Sequence, residues 1–127
     1  MEDSEIYLFT SDRGEGWGVV LNEAMNSGCV CISTYSAGST PFLITDGENG
    51  VVYKDDDFRE LIKKTEEIIN YSDKKHEIGK KAYKTIKENW NPQEAARRFH
   101  EYTMQLVKNK DDEMFENDIL SRAIPIE

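Results

Sequence analysis

Short apolar runs alternate with turn-forming segments and one helical stripe in the first half of this chain. The apolar runs are residues 5–10 (EIYLFT), 29–34 (CVCIST) and 51–53 (VVY). Runs of this length, bounded by polar and glycine-rich sequence, predict buried β-strands. Residues 18–27 carry apolar side chains at helical spacing, and Gly28 follows as a helix-ending glycine. The order strand, helix, strand, turn and strand is typical of a parallel α/β layer.

The second half of the chain predicts helices. Residues 58–69 and 78–90 each carry an apolar stripe at helical spacing, and Asp57 with Glu60 fits a cap for the first of them. Residues 91–94 (NPQE) combine a cap, a first-turn proline and a glutamate, so a third helix should begin there and run to about Val107. On this helix we expect four side chains to face inward: Ala95, Phe99, Tyr102 and Leu106.

The length of 127 residues allows one domain with a modest core. Only three strands are evident, whereas a doubly wound sheet has about five or six. The predicted fold class is therefore α/β, with a partial doubly wound (Rossmann-like) parallel sheet of about three strands and C-terminal helices. We assign residues 1–108 to this domain and residues 109–127 to a charged tail with an apolar end.

The composition argues against several classes of protein. The net charge is −9, from 16 basic and 25 acidic residues, which disfavours binding to nucleic acid. No apolar run reaches the roughly 18–20 residues of a transmembrane helix. The acidic start of the chain is unlike a signal peptide, and Cys29 and Cys31 lack the partners of a zinc site. We therefore expect a cytoplasmic protein with reduced thiols, no transmembrane segment and no bound metal.

Residues 12–28 (DRGEGWGVVLNEAMNSG) place Glu15 and Glu23 eight positions apart around a Gly-Trp-Gly turn. Ligands of open α/β sheets bind outside the carboxyl ends of the strands, where this loop should lie. A helix that begins near Gly18 would direct N–H groups and a partial positive charge at that crevice, and Gly16 would let a phosphate approach the backbone. Glu23, about 7–8 Å along the helix, could then accept hydrogen bonds from a ribose diol.

These residues resemble the donor-site segment of GT-B glycosyltransferases of the retaining family 4, or group 1, type. The motifs E-G-W-G, E-x7-E, E-A-M-x-x-G and D-G-E-N-G occur in family order and at family spacing over about residues 5–53. The W-N-P entry to the last helix at residues 90–92 also matches the family's C-terminal end. The resemblance implies that the chain is half of a GT-B C-terminal domain, which binds the donor.

The resemblance also implies a role for each residue of the motif. Glu15 would contact the hydroxyls of the transferred sugar and is the candidate catalytic residue. The backbone of Gly16, Trp17 and Gly18 would meet the sugar and phosphates of a nucleotide diphosphate sugar, and Glu23 would hold its ribose. No metal is implied, because the helix dipole and cationic side chains stabilise the leaving phosphate. Simpler structural readings stay open: exposed helix glutamates, plain turn glycines, and a tryptophan in the core or in a lid.

Three parts of the family pattern are missing from this sequence. They are the acceptor-binding N-terminal domain, the first half of the C-terminal domain with its Gly-rich loop, and the Arg and Lys that balance the diphosphate. Arg13 lies nearby but does not occupy those positions. Because each lost charge-assisted contact costs about 1.5–3 kcal/mol, we expect weak donor binding and no turnover by the isolated chain.

The strand at residues 5–10 would be a sheet edge without the strands that precede it in the family, so we expect a homo-oligomer or a partner chain that covers it. Three functions remain open. The chain could be a fragment of a retaining transferase that moves a hexose to an unknown acceptor. It could be a non-catalytic remnant or split-gene module that associates with itself or a partner. It could also be an α/β domain without nucleotide affinity.

Overall fold

A computed structural model describes residues 3–108 of the 127. The chain divides into two compact units, Met1–Ile86 and Lys87–Glu127. The predicted tail, residues 109–127, lies outside the described residues, and the domain boundary at residue 108 stays a prediction. The elements are β1 (Ile6–Phe9), α1 (Val19–Asn26), β2 (Val30–Thr34), α2 (Thr40–Leu43), β3 (Val51–Tyr53), α3 (Phe58–Asn70), α4 (Ser72–Asn89) and α5 (Pro92–Val107).

The three strands form a parallel sheet in the order β1-β2-β3, which confirms the predicted fold class and all three strands. Ile6 lies opposite Val30, and Ile32 lies opposite Val51. All five residues of β2 are buried because this strand is central. Within the described part of the chain, β1 is an outer strand, as predicted for residues 5–10.

One face of the sheet packs against α3 and α4. Its buried cluster consists of Val30, Ile32, Val51, Tyr53, Ile68 and Ile78. Burying a side chain of this size stabilises the fold by about 1.5–3 kcal/mol. Because side chains alternate along a strand, Cys31 and Ser33 lie on the opposite face. The helix α1, which connects β1 to β2, buries Leu21, Ala24 and Met25.

The end of α1 packs closely against α4, and two glycines make this possible. Gly28, predicted to end the helix, has φ 76°, in the left-handed region that follows many helix C-termini. A Cβ added to Gly79 would lie 2.4 Å from the carbonyl oxygen of Gly28. The approach of α4 to α1 therefore requires glycine at residue 79.

The two predicted helix caps are confirmed. The side chain of Asp57 accepts a hydrogen bond from the Glu60 N–H at 2.9 Å, and that of Asn91 accepts one from the Glu94 N–H at 2.8 Å. The prediction that Phe99 and Leu106 face inward is wrong.

Phe99 and Leu106 are 64% and 48% exposed, and no residue of α5 is buried. Ala95 and Tyr102, the other two side chains expected to face inward, are half-buried. The period of an apolar stripe carries no information about what covers it.

Candidate functional site

The loop that follows β1 and the loop that follows β2 meet at the carboxyl edge of the sheet. The Ser39 N–H donates a hydrogen bond to the Trp17 carbonyl at 2.9 Å. Gly38 has φ 31°, and a Cβ at this position would lie 2.2 Å from the Gly16 carbonyl oxygen. The backbone of residues 16–17 therefore rests directly on the second loop. Sequence reasoning did not predict this contact, because it joins segments that are distant along the chain.

Gly18 is the N-cap of α1, and the fold itself requires a glycine there. Its φ is 69°, and a Cβ would lie 2.5 Å from Cζ of Phe9. No side chain caps this end of α1, and its first turn carries no acidic residue. The first N–H groups of a helix lack partners within the helix, and the helix dipole places partial positive charge there. The start of α1 is thus suited to hold an anionic group.

Gly16 differs from Gly18, because nothing in the fold requires a glycine at this position. Its φ is not in the left-handed region, and a Cβ would meet no atom of the described residues within 4 Å. The space beside its backbone is therefore open. That is the property expected where a ligand approaches the main chain closely.

The two predicted carboxylates are exposed and lie near one phenol. Glu15 accepts a hydrogen bond from the Ser11 hydroxyl at 3.1 Å, and Glu23 lies on α1. Partial burial raises the pKa of the Tyr7 phenol above its ordinary value, and the Cys31 thiol adds to this effect. The charges of Glu15 and Glu23 raise the pKa further, so both lie within electrostatic range of Tyr7. Sequence reasoning missed Ser11 and Tyr7.

Trp17 links the loop to two helices. Its indole N–H donates a hydrogen bond to Oδ1 of Asn22 on α1 at 2.8 Å. Its ring lies 5.6 Å from that of Phe42 on α2, at an interplanar angle of 34°. The side chain is 40% exposed, so it is neither a core residue nor a free lid. Asn22 and Phe42, which position it, carried no signal in the sequence.

A pocket of about 460 Å³ lies at the opposite, amino end of the strands and is lined in part by Glu5, Gly28 and Lys75. Nζ of Lys75 contacts Oε2 of Glu5 at 2.5 Å, so a carboxylate already neutralises this cation. The amino end of a parallel sheet is also not where open α/β sheets bind ligands. We therefore place the candidate site at the carboxyl end.

Neither a metal-ligating cluster nor a membrane span is found among residues 3–108. No three His, Cys, Asp or Glu side chains of this part are placed to hold a metal ion. None of its helices combines the length and the apolarity that crossing a bilayer requires. Cys29 and Cys31 are buried and form no disulfide, and burial, with a smaller effect of Cys29, raises the pKa of Cys31 to about 12.

Comparison with known families identifies the chain. Residues 1–85 match the family described as "Glycosyl transferases group 1". The chain belongs to this family. A curated relative from Methanocaldococcus jannaschii, the uncharacterized glycosyltransferase MJ1069, is 28% identical over 104 residues, which are 82% of this chain and 26% of the relative. The chain therefore spans about a quarter of that relative's length.

Solved structures agree with the fold. The C-terminal domain of the group 1 glycosyl transferase LpcC from Francisella tularensis matches with a TM-score of 0.64 and 28% identity, over 69% of this chain and 44% of that one. HepE (Alr3699) from Anabaena, solved in complex with UDP, matches with a TM-score of 0.69 and 22% identity, over 79% of this chain and 28% of HepE. The chain thus has the fold of part of a GT-B C-terminal domain.

Proposed function

We propose that this chain contributes the nucleotide-sugar donor half-site of a retaining group 1 glycosyltransferase, which transfers a hexose to an acceptor. The observation that carries the proposal is the uncapped start of α1 at the carboxyl end of β1, bordered by Glu15, Glu23 and the open backbone of Gly16. The Anabaena relative, which shares the fold, was solved with UDP, and this supports a nucleoside diphosphate as the ligand.

In this proposal each residue keeps the role expected from the motif. The diphosphate lies at the start of α1, where the amides of Gly16, Trp17 and Gly18 and the helix dipole stabilise its charge. Glu15 accepts hydrogen bonds from the transferred sugar, and Glu23 accepts them from the ribose diol, because a carboxylate can accept from two hydroxyls at once. The helix end, rather than a metal cofactor, stabilises the leaving group.

The proposed reaction is a displacement with retention. The bond between the anomeric carbon and the donor phosphate oxygen breaks while the acceptor hydroxyl attacks from the same face, negative charge develops on the leaving phosphate, and the proton of the hydroxyl passes to that phosphate. The protein contributes positioning and electrostatic stabilisation of that charge. Within residues 10–18, Arg13 is the cationic side chain, and its Nε lies 4.0 Å from Oδ2 of Asp55. We therefore propose weak donor binding and no turnover by the chain alone.

The edge of β1 supports a second candidate function, a module that associates with itself or with a partner chain. A doubly wound sheet has the strand order 3-2-1-4-5-6, in which the first strand of each half is central. The order β1-β2-β3 is that of one half, so β1 presents the edge at which another half would pair. Leu8, on this strand, is 44% exposed. For the location we propose the cytoplasm, which the two buried cysteines outside any disulfide support.

Saturation-transfer NMR with UDP, GDP and ADP, and then with their sugars, tests the donor half-site. We expect transfer to the ribose protons from the wild-type chain and its loss in Glu23→Ala. Asn26→Ala, an exposed change near the end of the same helix, is the matched control and should keep the transfer. Absence of transfer from every nucleotide would contradict the donor half-site and favour the association module.

A further inference from the structure

The loop that carries the candidate donor site is rich in glycine. Gly14, Gly16 and Gly18 occupy alternate positions there, and glycine restricts the backbone less than any other residue. A ligand that binds the main chain of such a loop must order it, which costs affinity unless the fold has already done so. Trp17 stands between the last two of these glycines. Its side chain is therefore the one through which contacts can order this part of the backbone.

The indole of Trp17 contacts two elements outside the loop. Its N–H donates a hydrogen bond to Oδ1 of Asn22 on α1 at 2.8 Å, and its ring centroid lies 5.6 Å from that of Phe42 on α2. A hydrogen bond and an aromatic pair contribute similarly to stability. The Ser39 N–H holds the main chain of the same residue through the Trp17 carbonyl. We call the side chains of Trp17, Asn22 and Phe42 the indole anchor.

Asn22 stands at a position that helix propensity does not favour. It lies in the interior of α1, next to the buried Leu21. Asparagine is a weaker helix former than leucine or alanine, because its side chain competes for backbone hydrogen bonds. Residues that break such a local rule are typical of functional sites. The hydrogen bond from the indole is the contact that accounts for asparagine here.

The indole anchor adjoins the groups that we assign to the donor. Trp17 lies between Gly16 and Gly18, whose amides are assigned to the diphosphate, and Asn22 directly precedes Glu23, which is assigned to the ribose. Asn22 is half-buried, whereas Glu23 is exposed. The bond from the indole to Asn22 thus joins the loop to the helix that carries Glu23.

We propose that Trp17, Asn22 and Phe42 act through their side chains as positioning residues, which hold the backbone of residues 16–18 in the conformation that binds a nucleoside diphosphate. The anchor sets the fraction of molecules whose loop has this conformation, and the apparent affinity falls in proportion to that fraction. The effect on nucleotide affinity rests on the proposed function. The ordering of the loop rests on the contacts of the anchor alone.

Titration of the full chain with UDP, followed by NMR, tests the hydrogen bond of the anchor. Asn22→Leu removes the acceptor and should weaken UDP binding about three- to tenfold, the effect of one hydrogen bond. Trp17→Phe removes the donor, keeps an aromatic ring and should have an effect of similar size. The double variant should bind no more weakly than either single one, because both changes remove the same bond. Asn26→Leu, the same substitution one turn later at an exposed position of α1, should bind as the wild type does.

The aromatic pair has its own conservative variant. Phe42→Leu keeps an apolar side chain but removes the ring, so it should also weaken UDP binding. Phe42→Tyr keeps the ring and should bind UDP as the wild type does.

The rates of binding distinguish positioning from direct contact with the ligand. Loss of the anchor should lower the association rate of UDP and leave its dissociation rate nearly unchanged, because fewer molecules have the binding conformation while the bound loop makes the same contacts. Line-shape analysis of the NMR titration separates the two rates.

A measurement without nucleotide tests the ordering of the loop by itself. In Asn22→Leu, ¹⁵N relaxation should show greater mobility of the amides of Gly16, Trp17 and Gly18 than in the wild type. The urea midpoint should change little, because the better helix propensity of leucine offsets part of the lost hydrogen bond. Lower global stability with an unchanged loop would mean that Asn22 is merely structural.

The outcomes separate this proposal from the donor half-site. If the wild type binds UDP and Asn22→Leu binds it equally well, the proposal is overturned and the donor half-site stands. A faster dissociation rate that accounts for the whole loss of affinity would also overturn it. If the loop of Asn22→Leu is mobile but the wild type does not bind UDP, the donor half-site fails, and the effect on nucleotide affinity fails with it.

Discussion

Gly16 and Gly18 are two positions apart in one loop, yet the structure constrains them differently. Gly18 needs its left-handed φ and its close contact with Phe9, whereas Gly16 has neither constraint. The sequence motif assigned both glycines to the donor site. It could not separate their roles, because the difference depends on a ring nine residues away in the chain and on the conformation of the loop.

Alanine at these two positions should separate folding from binding. Gly18→Ala should lower the free energy of unfolding by about 1–3 kcal/mol, because it combines a strained φ with an overpacked contact. Gly16→Ala should change it by less than about 0.5 kcal/mol but weaken nucleotide binding. Urea unfolding followed by nucleotide titration measures both. Equal destabilisation by the two changes would contradict the assignment of Gly16 to ligand approach.

The buried thiols give a second prediction for single residues. Burial raises the pKa of Cys31 to about 12 and also raises that of Cys29. The thiolate is the reactive form, so both cysteines should be inert to a thiol reagent at neutral pH in the folded protein. Both should react at once in denaturant. Rapid reaction of one equivalent in the native state would show that a thiol is accessible.

Most elements were predictable because local signals specify them. The three apolar runs became β1, β2 and β3, and the caps at Asp57 and Asn91 start α3 and α5 as predicted. The exposure of Phe99 on α5 was not predictable, since periodicity describes a helix and not its neighbours. The contacts that hold Trp17 were missed for the same reason, because Phe42 lies on another element.

The cap of α3 can be tested with two substitutions at one position. Asp57→Ala removes the acceptor of the Glu60 N–H and should lower the free energy of unfolding by about 0.5–2 kcal/mol. Asp57→Asn keeps an oxygen acceptor at this position and should change it little. Urea unfolding of both variants is the measurement. An equal loss of unfolding free energy in Asp57→Ala and Asp57→Asn would mean that the negative charge of Asp57, and not its hydrogen bond to the Glu60 N–H, stabilises the helix.

Acid should weaken α5 through Glu94. Hydrogen bonds from Arg97 and Arg98 lower the pKa of this carboxyl from 4.5 to about 2. A group whose pKa is lower in the folded state stabilises that state above its unfolded pKa, so this contribution should disappear as the pH falls from 4.5 to 2. Circular dichroism should therefore show a smaller loss of helicity between pH 4.5 and 2 in Glu94→Gln than in the wild-type chain. Identical acid titration curves for the two proteins would contradict the assignment to Glu94.

For the whole molecule, the central feature is a sheet that corresponds to one half of a doubly wound domain. The sequence predicted this half because only three strand signals occur, and the family motifs specified which half it is. It could not predict that the loops after β1 and β3 enclose a crevice of about 420 Å³ at the carboxyl edge of the sheet. That arrangement depends on residues more than 40 positions apart, such as Ser11 and Asp55.

The edge of β1 predicts association. Light scattering should show a mass that rises with concentration, and Leu8→Lys should reduce the rise, because a charge on an edge strand opposes pairing. Leu106→Lys, an exposed position on α5, is the control and should have no effect. A monodisperse monomer at all concentrations, both in the full chain and after removal of residues 109–127, would contradict this prediction.

The most direct test of the donor half-site is a two-dimensional ¹H–¹⁵N NMR titration of the labelled chain with UDP. The account predicts the largest shifts at the amides of Gly16, Trp17, Gly18 and Val19 and at the indole N–H of Trp17. It also predicts that the amides of Gly28 and Lys75, which line the pocket at the amino ends of the strands, stay unchanged. Shifts confined to that pocket, or no shifts at saturating UDP, would contradict the account.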